Sequence, residues 1–296
     1  MTSAPLPLHL SSRISAAGLE PESLSQLVWA AVLEDLGGGA DVTTTATIGP
    51  ERTDTGDLLV KETGVVAGLL VAEIAFWHVG SGDLTVAAGS LEGQQVVPGT
   101  VVLTVSGPTY RLLTAERVAL NFVRHLSGVA TLTRRFVDAV AGTDAVILDT
   151  RKTTPLLRAL EKYAVRCGGG TNHRMSLSDM ALIKDNHVLA AGGVRPAMER
   201  VRAAAAGVPI EIEVTSLAMA REAVDAGADR LLLDNMTPAQ MAECVAAVGD
   251  QADLEASGGI TLDSVRAIAE SGVDFISVGA LTHSAPNLDV SLDLRG

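Results

Sequence analysis

The stretch PIEIEVTSLAMAREAVDAGADRLLLDNM, residues 209–236, decides the fold. It holds two short apolar runs, 209–216 and 230–236, separated by the Ala-rich amphipathic segment 218–228. This order predicts a strand, a helix and a second strand. Such a unit has a right-handed crossover and two parallel strands.

The same alternation continues on both sides of this stretch. Further apolar runs, with amphipathic segments between them, lie at 144–150, 180–187, 253–259 and 274–282. Six strands, and a plausible seventh near 171–177, favour a closed or nearly closed α/β barrel. No GxGxxG motif follows the first of these strands, so a dinucleotide-binding sheet has no positive support.

The residues before Thr114 show a different sequence pattern. A helix is predicted at about 22–36, a Gly-rich turn at 37–45 and another helix near 69–79. The rest consists of short valine-rich segments separated by Gly and Pro, which is typical of antiparallel strands. We therefore expect a small α+β domain ahead of the barrel.

The composition restricts the classes of partner. The formal net charge of −13 opposes general binding to nucleic acid or to anionic membranes, and 3% aromatic residues are too few for a base-stacking surface. The most hydrophobic window, 64–80, is interrupted by Glu73 and predicts a core helix. Cys167 and Cys244 form no CxxC or zinc pattern. We expect free thiols in a soluble cytoplasmic protein.

Polar and charged residues follow nearly every predicted strand. In barrels of this type, catalytic groups come from the carboxyl ends of the strands. The groups at these ends are Arg151 and Lys152, Lys184 to His187, Glu211 and Glu213, Asp234 and Asn235, Ser257 to Gly259, and Gly279, Ala280 and His283. The Arg151–Lys152 pair alone fits a solvated surface as well as an anion site, but the whole series favours a site.

The residue types at these ends suggest three functions. Arg151, Arg174, Lys184 and His173 are donors suited to carboxylates. Glu213 and Asp234 could hold Mg²⁺ or sugar hydroxyls, although each could instead be a paired core carboxylate. The segments SGGITLDS (257–264) and VGALTHS (278–284) could bind phosphate through backbone N–H groups, the first as a loop that opens a helix.

Several of these motifs together resemble the quinolinate phosphoribosyltransferase family. They are ERVALNFVRHLSGVAT (116–131), LDTRKTTPLLRALEKYAVRCGGGTNHR (148–174), LIKDNH (182–187), IEIEV, LLLDN, EASGGI and ISVGALTHS. EDLGGGADVTT (34–44) is similar to the amino-terminal motif of the family, with Ala40 where a glycine is often found. The resemblance covers nearly the whole chain.

The resemblance implies an α/β fold with an open-faced amino-terminal α/β sandwich at 1–116 and an open parallel α/β barrel of six or seven strands at 117–283. The tail, 284–296, would return to the first domain. It implies Mg²⁺ as cofactor and a reaction between quinolinate and phosphoribosyl pyrophosphate. It further implies a head-to-tail homodimer in which Arg117 reaches the active site of the partner.

The resemblance also implies the roles of individual residues. Quinolinate would be bound by Arg117, Thr150, Arg151, His173, Arg174 and Lys184. Phosphoribosyl pyrophosphate would be bound by Lys152, Glu213, Asp234, Ser257, Gly258, Gly259, Val278, Gly279, Ala280 and His283. Lys152, Glu213 and Asp234 would act in catalysis, the two carboxylates also as ligands of Mg²⁺, directly or through water or substrate.

Other readings remain open at this point. A nicotinate-specific phosphoribosyltransferase or a molybdenum-locus paralogue would share the barrel, but a substrate with one carboxylate needs fewer cations. An aldolase could form a Schiff base at Lys184, against which the neighbouring Asp185 weighs. A carrier domain built on the hairpin 93–107 would need a lysine at its tip, and that segment has none.

Overall fold

The computed structural model describes residues 5–295 of the chain, which form two compact units. The first unit contains the chain up to Leu132, Ala159–Gly169 and the residues from Ala285 onward; the second contains Thr133–Arg158 and Gly170–Ser284. The helices are α1 (Leu8–Ala16), α2 (Pro21–Leu36), α3 (Val42–Thr47), α4 (Leu69–Gly80), α5 (Thr109–Ala139), α6 (Arg158–Cys167), α7 (Asp185–Ala191), α8 (Val194–Ala204), α9 (Leu217–Asp225), α10 (Pro238–Val248), α11 (Val265–Ala269) and α12 (Ala280–His283).

The strands fall into two main sheets. They are β1 (Thr53–Val60), β2 (Gly64–Val65), β3 (Thr85–Ala88), β4 (Gln95–Val96), β5 (Val101–Pro108), β6 (Val146–Leu148), β7 (Ala181–Ile183), β8 (Ile210–Val214), β9 (Arg230–Asp234), β10 (Asp253–Ser257), β11 (Phe275–Ser277) and β12 (Val290–Leu294). The predicted boundary at residue 116 lies within α5, whose residues belong to the first unit as far as Leu132.

The first unit is built on an antiparallel sheet with the strand order β12-β1-β5-β3. Along β1, Gly56, Leu58 and Val60 are buried at every second position, as expected for a strand with one covered face. The carboxyl-terminal strand β12 pairs with β1, with Val290 opposite Val60. The α+β character predicted for this region is confirmed.

The predicted core helix is α4. Most of its side chains are buried, and Glu73, which interrupts the apolar window, pairs with Arg13 at 2.7 Å. Within residues 5–295, no helix combines the length and apolarity needed to cross a membrane. Cys167 and Cys244 are free thiols, as predicted.

The second unit contains a parallel sheet of six strands in the order β6-β11-β10-β9-β8-β7. All six predicted strands are present, and helices connect them as in an open α/β barrel. The suggested seventh strand near 171–177 is reduced to a single parallel bridge between Thr171 and Leu148. The residues after Thr171 do not extend this strand, because they turn toward the end of β6 and bond to Asp149.

The strands of this sheet carry polar groups on one face. In β8, Ile210, Ile212 and Val214 alternate with Glu211 and Glu213. Because side chains alternate along a strand, the three apolar residues share one face and the two glutamates share the other. A sheet of this kind packs its apolar face against helices and turns its polar face toward the barrel interior, where a site can form.

Candidate active site

A cavity of about 520 Å³ lies at the carboxyl ends of the parallel strands in the second unit. It brings together most of the residues that the sequence predicted for the site. These are Thr150, Arg151, Lys152, His173, Arg174, Lys184, Glu213, Asp234, Ser257, Gly258 and Gly259. Five different strand ends and one connector therefore supply a single cavity.

Some predicted site residues do not line this cavity in the part of the chain that the structure describes. Arg117 is exposed on α5 in the first unit. Val278 is buried, and its N–H donates to the carbonyl oxygen of Leu148 at 2.9 Å. Gly279, Ala280 and His283 lie just beyond β11, where they belong to the start and end of the short helix α12.

Asp149 attaches the connector 171–174 to the end of β6. This buried carboxylate accepts hydrogen bonds from Asn172 Nδ2 at 2.6 Å and from the backbone N–H of His173 at 3.0 Å. The connector therefore folds back toward β6 before the chain enters β7. This is how His173 and Arg174 reach the same cavity as Arg151.

Arg151 and Arg174 place two guanidinium groups at one end of the cavity. Nε of Arg151 is buried without a hydrogen-bond partner among the described residues. Arg174 donates from Nη1 to the carbonyl oxygen of Met180 at 2.9 Å. Burial, and then the charge of Arg151, lower the pKa of Arg174, although a guanidinium remains protonated. An anion bound here would relieve this repulsion.

Lys152 lies beside the loop that follows β11. The hydroxyl of Thr282 donates to the carbonyl oxygen of Lys152 at 2.8 Å. A Cβ atom added to Gly279 would stand 3.2 Å from both Lys152 Cδ and His283 Nε2. The absence of a side chain at position 279 therefore leaves space for the side chain of Lys152. Lys152 follows β6 and Gly279 follows β11, so the ends of the first and last barrel strands are in contact here.

Glu213 and Lys184 form an ion pair across the cavity wall. The ammonium group of Lys184, at the end of β7, donates to the Glu213 carboxylate on β8. The same carboxylate lies 3.4 Å from the backbone N–H of Asp185, at the start of α7. Glu213 thus joins the cationic end of the cavity to its acidic part.

Asp234 and the glycine loop after β10 are connected through Asn235. The Asn235 amide donates to Asp234 Oδ2 at 2.8 Å, and its backbone N–H donates to the Ser257 carbonyl oxygen at 2.9 Å. Contrary to expectation, Gly258 and Gly259 do not directly open a helix. A turn at 261–264 intervenes, and α11 begins only at Val265.

A buried cluster surrounds His173. Glu211 and Glu255 have no exposed surface, and an oxygen of each lies 3.1 and 3.4 Å, respectively, from His173 Nε2. Burial lowers the pKa of His173, but the two carboxylates outweigh it and raise that pKa to about 9. Burial raises the pKa of Glu211; for Glu255, burial is outweighed by His173, and the pKa is lowered.

The contact of the second ring nitrogen of His173, Nδ1, favours the neutral ring instead of the imidazolium. Nδ1 accepts the backbone N–H of Arg174 at 2.7 Å, which favours a neutral ring, whereas the carboxylates favour an imidazolium. Both forms carry a proton on Nε2, the nitrogen that faces the glutamates.

Sequence reasoning missed four residues that line the cavity: Leu182, Leu232, Glu255 and Ser277. Asn235, which was named at the end of its strand but given no role, lines the cavity as well. One of the missed residues shows a pattern that could have been used. Glu255 precedes Ser257 by two positions in β10, so the two residues share a strand face. Polar residues inside apolar strands were therefore a usable signal.

These features define a class of protein: an α/β-barrel enzyme whose anionic substrates bind at the carboxyl ends of the strands. Comparison with known families makes the assignment specific. The model of the quinolinate phosphoribosyl transferase C-terminal domain matches residues 129–293, and that of the N-terminal domain matches residues 41–127. The chain belongs to the quinolinate phosphoribosyltransferase family.

Individual relatives agree with this assignment. The chain is 47% identical over 268 residues to the carboxylating nicotinate-nucleotide pyrophosphorylase of Mycobacterium leprae, covering 89% of this chain and 94% of that protein. It is 38% identical over 308 residues to a mitochondrial decarboxylating quinolinate phosphoribosyltransferase of Nicotiana tabacum, with 96% and 87% covered. The crystal structure of NadC from Streptococcus pyogenes matches with a TM-score of 0.89 at 40% identity, with 94% and 97% covered.

Proposed function

We propose that the two ends of the cavity separate the two substrates of the family's reaction. As a member of the family, the chain transfers a phosphoribosyl group from phosphoribosyl pyrophosphate to quinolinate. The products are nicotinate mononucleotide, carbon dioxide and pyrophosphate, in a step of NAD biosynthesis. The observation that carries the proposal is the single cavity that joins clustered cations to Glu213, Asp234 and a glycine loop.

Quinolinate is placed at the cationic end. It has two carboxylates on adjacent ring carbons. Arg151 and Arg174 offer two guanidiniums, neither of which forms an ion pair with a carboxylate among the described residues. Thr150, His173 and Lys184 line the same cavity and are assigned to this end. Charge-assisted bonds of guanidinium to carboxylate are strong and directional, so this end can both hold and orient the acid.

Phosphoribosyl pyrophosphate is placed at the other end. The loop of Ser257, Gly258 and Gly259, which lines the cavity, is assigned to the 5′-phosphate. Val278, Gly279, Ala280 and His283, which follow β11, are assigned to the same substrate. Glu213 and Asp234 face the ribose. Lys152, held beside Gly279, is assigned to the leaving pyrophosphate, where a cation stabilises the charge that develops as the bond breaks.

The carboxylates of Glu213 and Asp234 also fit Mg²⁺. This ion prefers oxygen ligands and is usually held by one or two carboxylates together with substrate phosphates and water. Both carboxylates line the cavity, and the Asn235 amide donates to one oxygen of Asp234. When bound with pyrophosphate, the ion would neutralise part of the charge on the leaving group.

The chemistry then follows from electrostatics. As pyrophosphate leaves, positive charge develops at the sugar, and the Glu213 and Asp234 carboxylates stabilise it. The quinolinate nitrogen forms the new bond to the sugar carbon. The carboxylate next to that nitrogen leaves as carbon dioxide, and the ring carbon takes a proton. The electron pair left on this carbon is stabilised by the positive ring nitrogen and by the surrounding guanidiniums.

We further propose that the active enzyme is a head-to-tail homodimer and that the partner's Arg117 completes the acid pocket. Arg117 is exposed on α5, and among residues 5–295 its guanidinium forms no ion pair with a carboxylate. An exposed guanidinium can bind a group on another subunit. The isologous geometry of a two-fold dimer would then give two equivalent shared sites.

The ion pair between Lys184 and Glu213 disfavours the aldolase alternative. A lysine that forms a Schiff base needs an amine that is free to attack a carbonyl carbon, whereas the Lys184 side chain is held by a carboxylate. The second guanidinium likewise favours quinolinate over nicotinate, because nicotinate has only one carboxylate.

The proposed reaction is tested by release of labelled carbon dioxide from carboxyl-labelled quinolinate. We expect release only when phosphoribosyl pyrophosphate and Mg²⁺ are both present, with equimolar nicotinate mononucleotide. Nicotinate in place of quinolinate should give no product. Equal turnover of nicotinate, or release without phosphoribosyl pyrophosphate, would refute the proposed substrate assignment.

A further inference from the structure

Glu211 and Glu255 pose a question that the proposed reaction does not answer. Each lies within the polar face of a strand, each has no exposed surface, and each has an oxygen within 3.4 Å of His173 Nε2. Apart from these contacts with His173, no hydrogen bond among the described residues satisfies the oxygens of the two carboxylates. Buried carboxylates without hydrogen-bond partners lower the stability of the folded state, so their presence calls for a structural or functional explanation.

A metal ion is one conceivable reason. One ligand atom from each of His173, Glu211 and Glu255 lies within 4.8 Å of the others. However, Nδ1 of His173 already accepts the Arg174 backbone N–H at 2.7 Å, so the proton of the neutral ring is on Nε2. A protonated nitrogen has no lone pair to offer a metal. The orientation of the ring therefore argues against a metal in this cluster.

We propose instead that Glu211 and Glu255 are positioning residues for the acid pocket. They orient the imidazole through its Nε2–H. In the neutral ring, which the observed bond requires, Nδ1 accepts the Arg174 N–H and orients the backbone there. The Arg174 side chain is held at a second point, by the bond from Nη1 to the Met180 carbonyl oxygen at 2.9 Å. Two fixed points direct the guanidinium toward the cavity.

The effect on quinolinate rests on the placement of the acid proposed above, whereas the orientation of the ring does not. His173 is thus assigned an indirect role. Its side chain is only 7% exposed, and both ring nitrogens face groups of the protein.

The surroundings of the cluster make conservative variants feasible. Arg230 lies 3.5 Å from the Glu255 carboxylate, but it also contacts Asp253 at 3.3 Å and stacks on Phe275 at 4.0 Å. Replacing Glu255 with glutamine therefore leaves Arg230 with a charged partner. Glutamine also keeps one oxygen that can face Nε2–H, so the fold should be retained.

The kinetic test uses Glu255→Gln, Glu211→Gln and His173→Gln, with Glu222→Gln on the exposed surface of α9 as the matched control. We expect either cluster variant to raise the KM for quinolinate about tenfold, the scale of one weakened charge-assisted contact. The KM for phosphoribosyl pyrophosphate and the control should stay within about twofold. In the His173→Gln background, Glu255→Gln should have little further effect, because it acts through that ring.

Two kinetic results would overturn the proposal. One is an equal rise in both KM values. The other is full additivity of Glu255→Gln and His173→Gln, which would mean that the glutamate acts independently of the ring.

The ring itself is tested without substrate. In protein labelled with ¹⁵N-histidine, His173→Gln identifies the signals of His173 among the six histidines. We expect Nε2 to carry a proton at neutral pH and its signal to shift in Glu255→Gln. An unprotonated Nε2, or a stoichiometric metal ion found by elemental analysis, would overturn the proposal. The proton on Nε2 and its signal shift in Glu255→Gln could both be observed while no variant, including Arg174→Ala, changes quinolinate binding. In that case the proposed placement of quinolinate is wrong.

Discussion

Asn235 and Gly258 are in direct contact at the cavity, and the contact leaves no space for a side chain at position 258. A Cβ atom built on Gly258 would stand 2.2 Å from Asn235 Oδ1. Gly258 also has φ of +103°, and Asn235 itself has φ of +54°. Glycine adopts such a φ without strain, and asparagine is among the other residues that adopt it most readily. A side chain at position 258 would be strained as well as crowded.

Gly258→Ala should therefore impair the glycine loop. The strain and the clash with Asn235 cost on the order of 1–3 kcal/mol, and either the loop or the amide must move. We expect the KM for phosphoribosyl pyrophosphate to rise by about tenfold or more, with little change for quinolinate. Gly207→Ala is the control: φ is +81°, but nothing lies within 4 Å of the added atom. If both variants alter only stability, the loop does not bind the substrate.

Glu213→Gln and Asp234→Asn should both lower kcat with the fold intact, but they should differ in their second effect. Glu213 is the partner of Lys184, so its neutralisation should also weaken quinolinate binding. Asp234 contacts Asn235, and its neutralisation should leave quinolinate binding nearly unchanged. Steady-state kinetics at saturating Mg²⁺ measures both effects. Near-normal kcat in either variant would remove that carboxylate from catalysis.

Cys167 should be dispensable to the chemistry. Burial is the main reason that the pKa of this thiol is raised, to about 12, so it remains protonated and unreactive at neutral pH. We expect Cys167→Ala to retain wild-type kcat. A thiol reagent should label the native protein slowly at neutral pH and should label both cysteines once guanidinium has unfolded it. Rapid labelling of native Cys167 with loss of activity would contradict this.

Shared sites are tested by mixing Arg117→Ala with Lys184→Ala, each inactive alone. After dissociation and exchange, half of the dimers are mixed, and each mixed dimer has one site with both native residues. About a quarter of wild-type activity should return. A mass tag confirms that exchange has occurred. If tagged mixed dimers form and activity remains at the level of the separate variants, Arg117 does not act across an interface.

The barrel and much of the cavity could be predicted from sequence because the rule for strand ends is strong. Glu213, Asp234 and Ser257 each end an apolar run, and the fold brings such ends together. His173 and Arg174 precede a strand instead of following one. Their position depends on hydrogen bonds to Asp149, a long-range contact that spacing alone does not reveal.

Other features could not be predicted because they depend on which residues contact each other in the folded chain. The glycine loop was expected at the first turn of a helix, but Val265 bonds back to Thr261 and a separate turn forms first. Glu255 lies in mid-strand, where a charged residue suggests an ordinary paired core group. Its relation to His173 becomes visible only when β8, β10 and the connector are placed together. Mg²⁺ binding, the homodimer and a cytoplasmic location stay predictions.

The most direct test of the account compares the two substrates in Arg174→Ala. The central claim is that quinolinate binds at the cationic end of the cavity and phosphoribosyl pyrophosphate at the other. Loss of a charge-assisted contact costs about 1.5–3 kcal/mol, so the Kd for quinolinate should rise by roughly one to two decades. Calorimetric titration of each ligand, with Arg221→Ala on the surface of α9 as control, measures this directly. We predict that the Kd for phosphoribosyl pyrophosphate changes less than about twofold; an equal loss of affinity for both ligands would contradict the account.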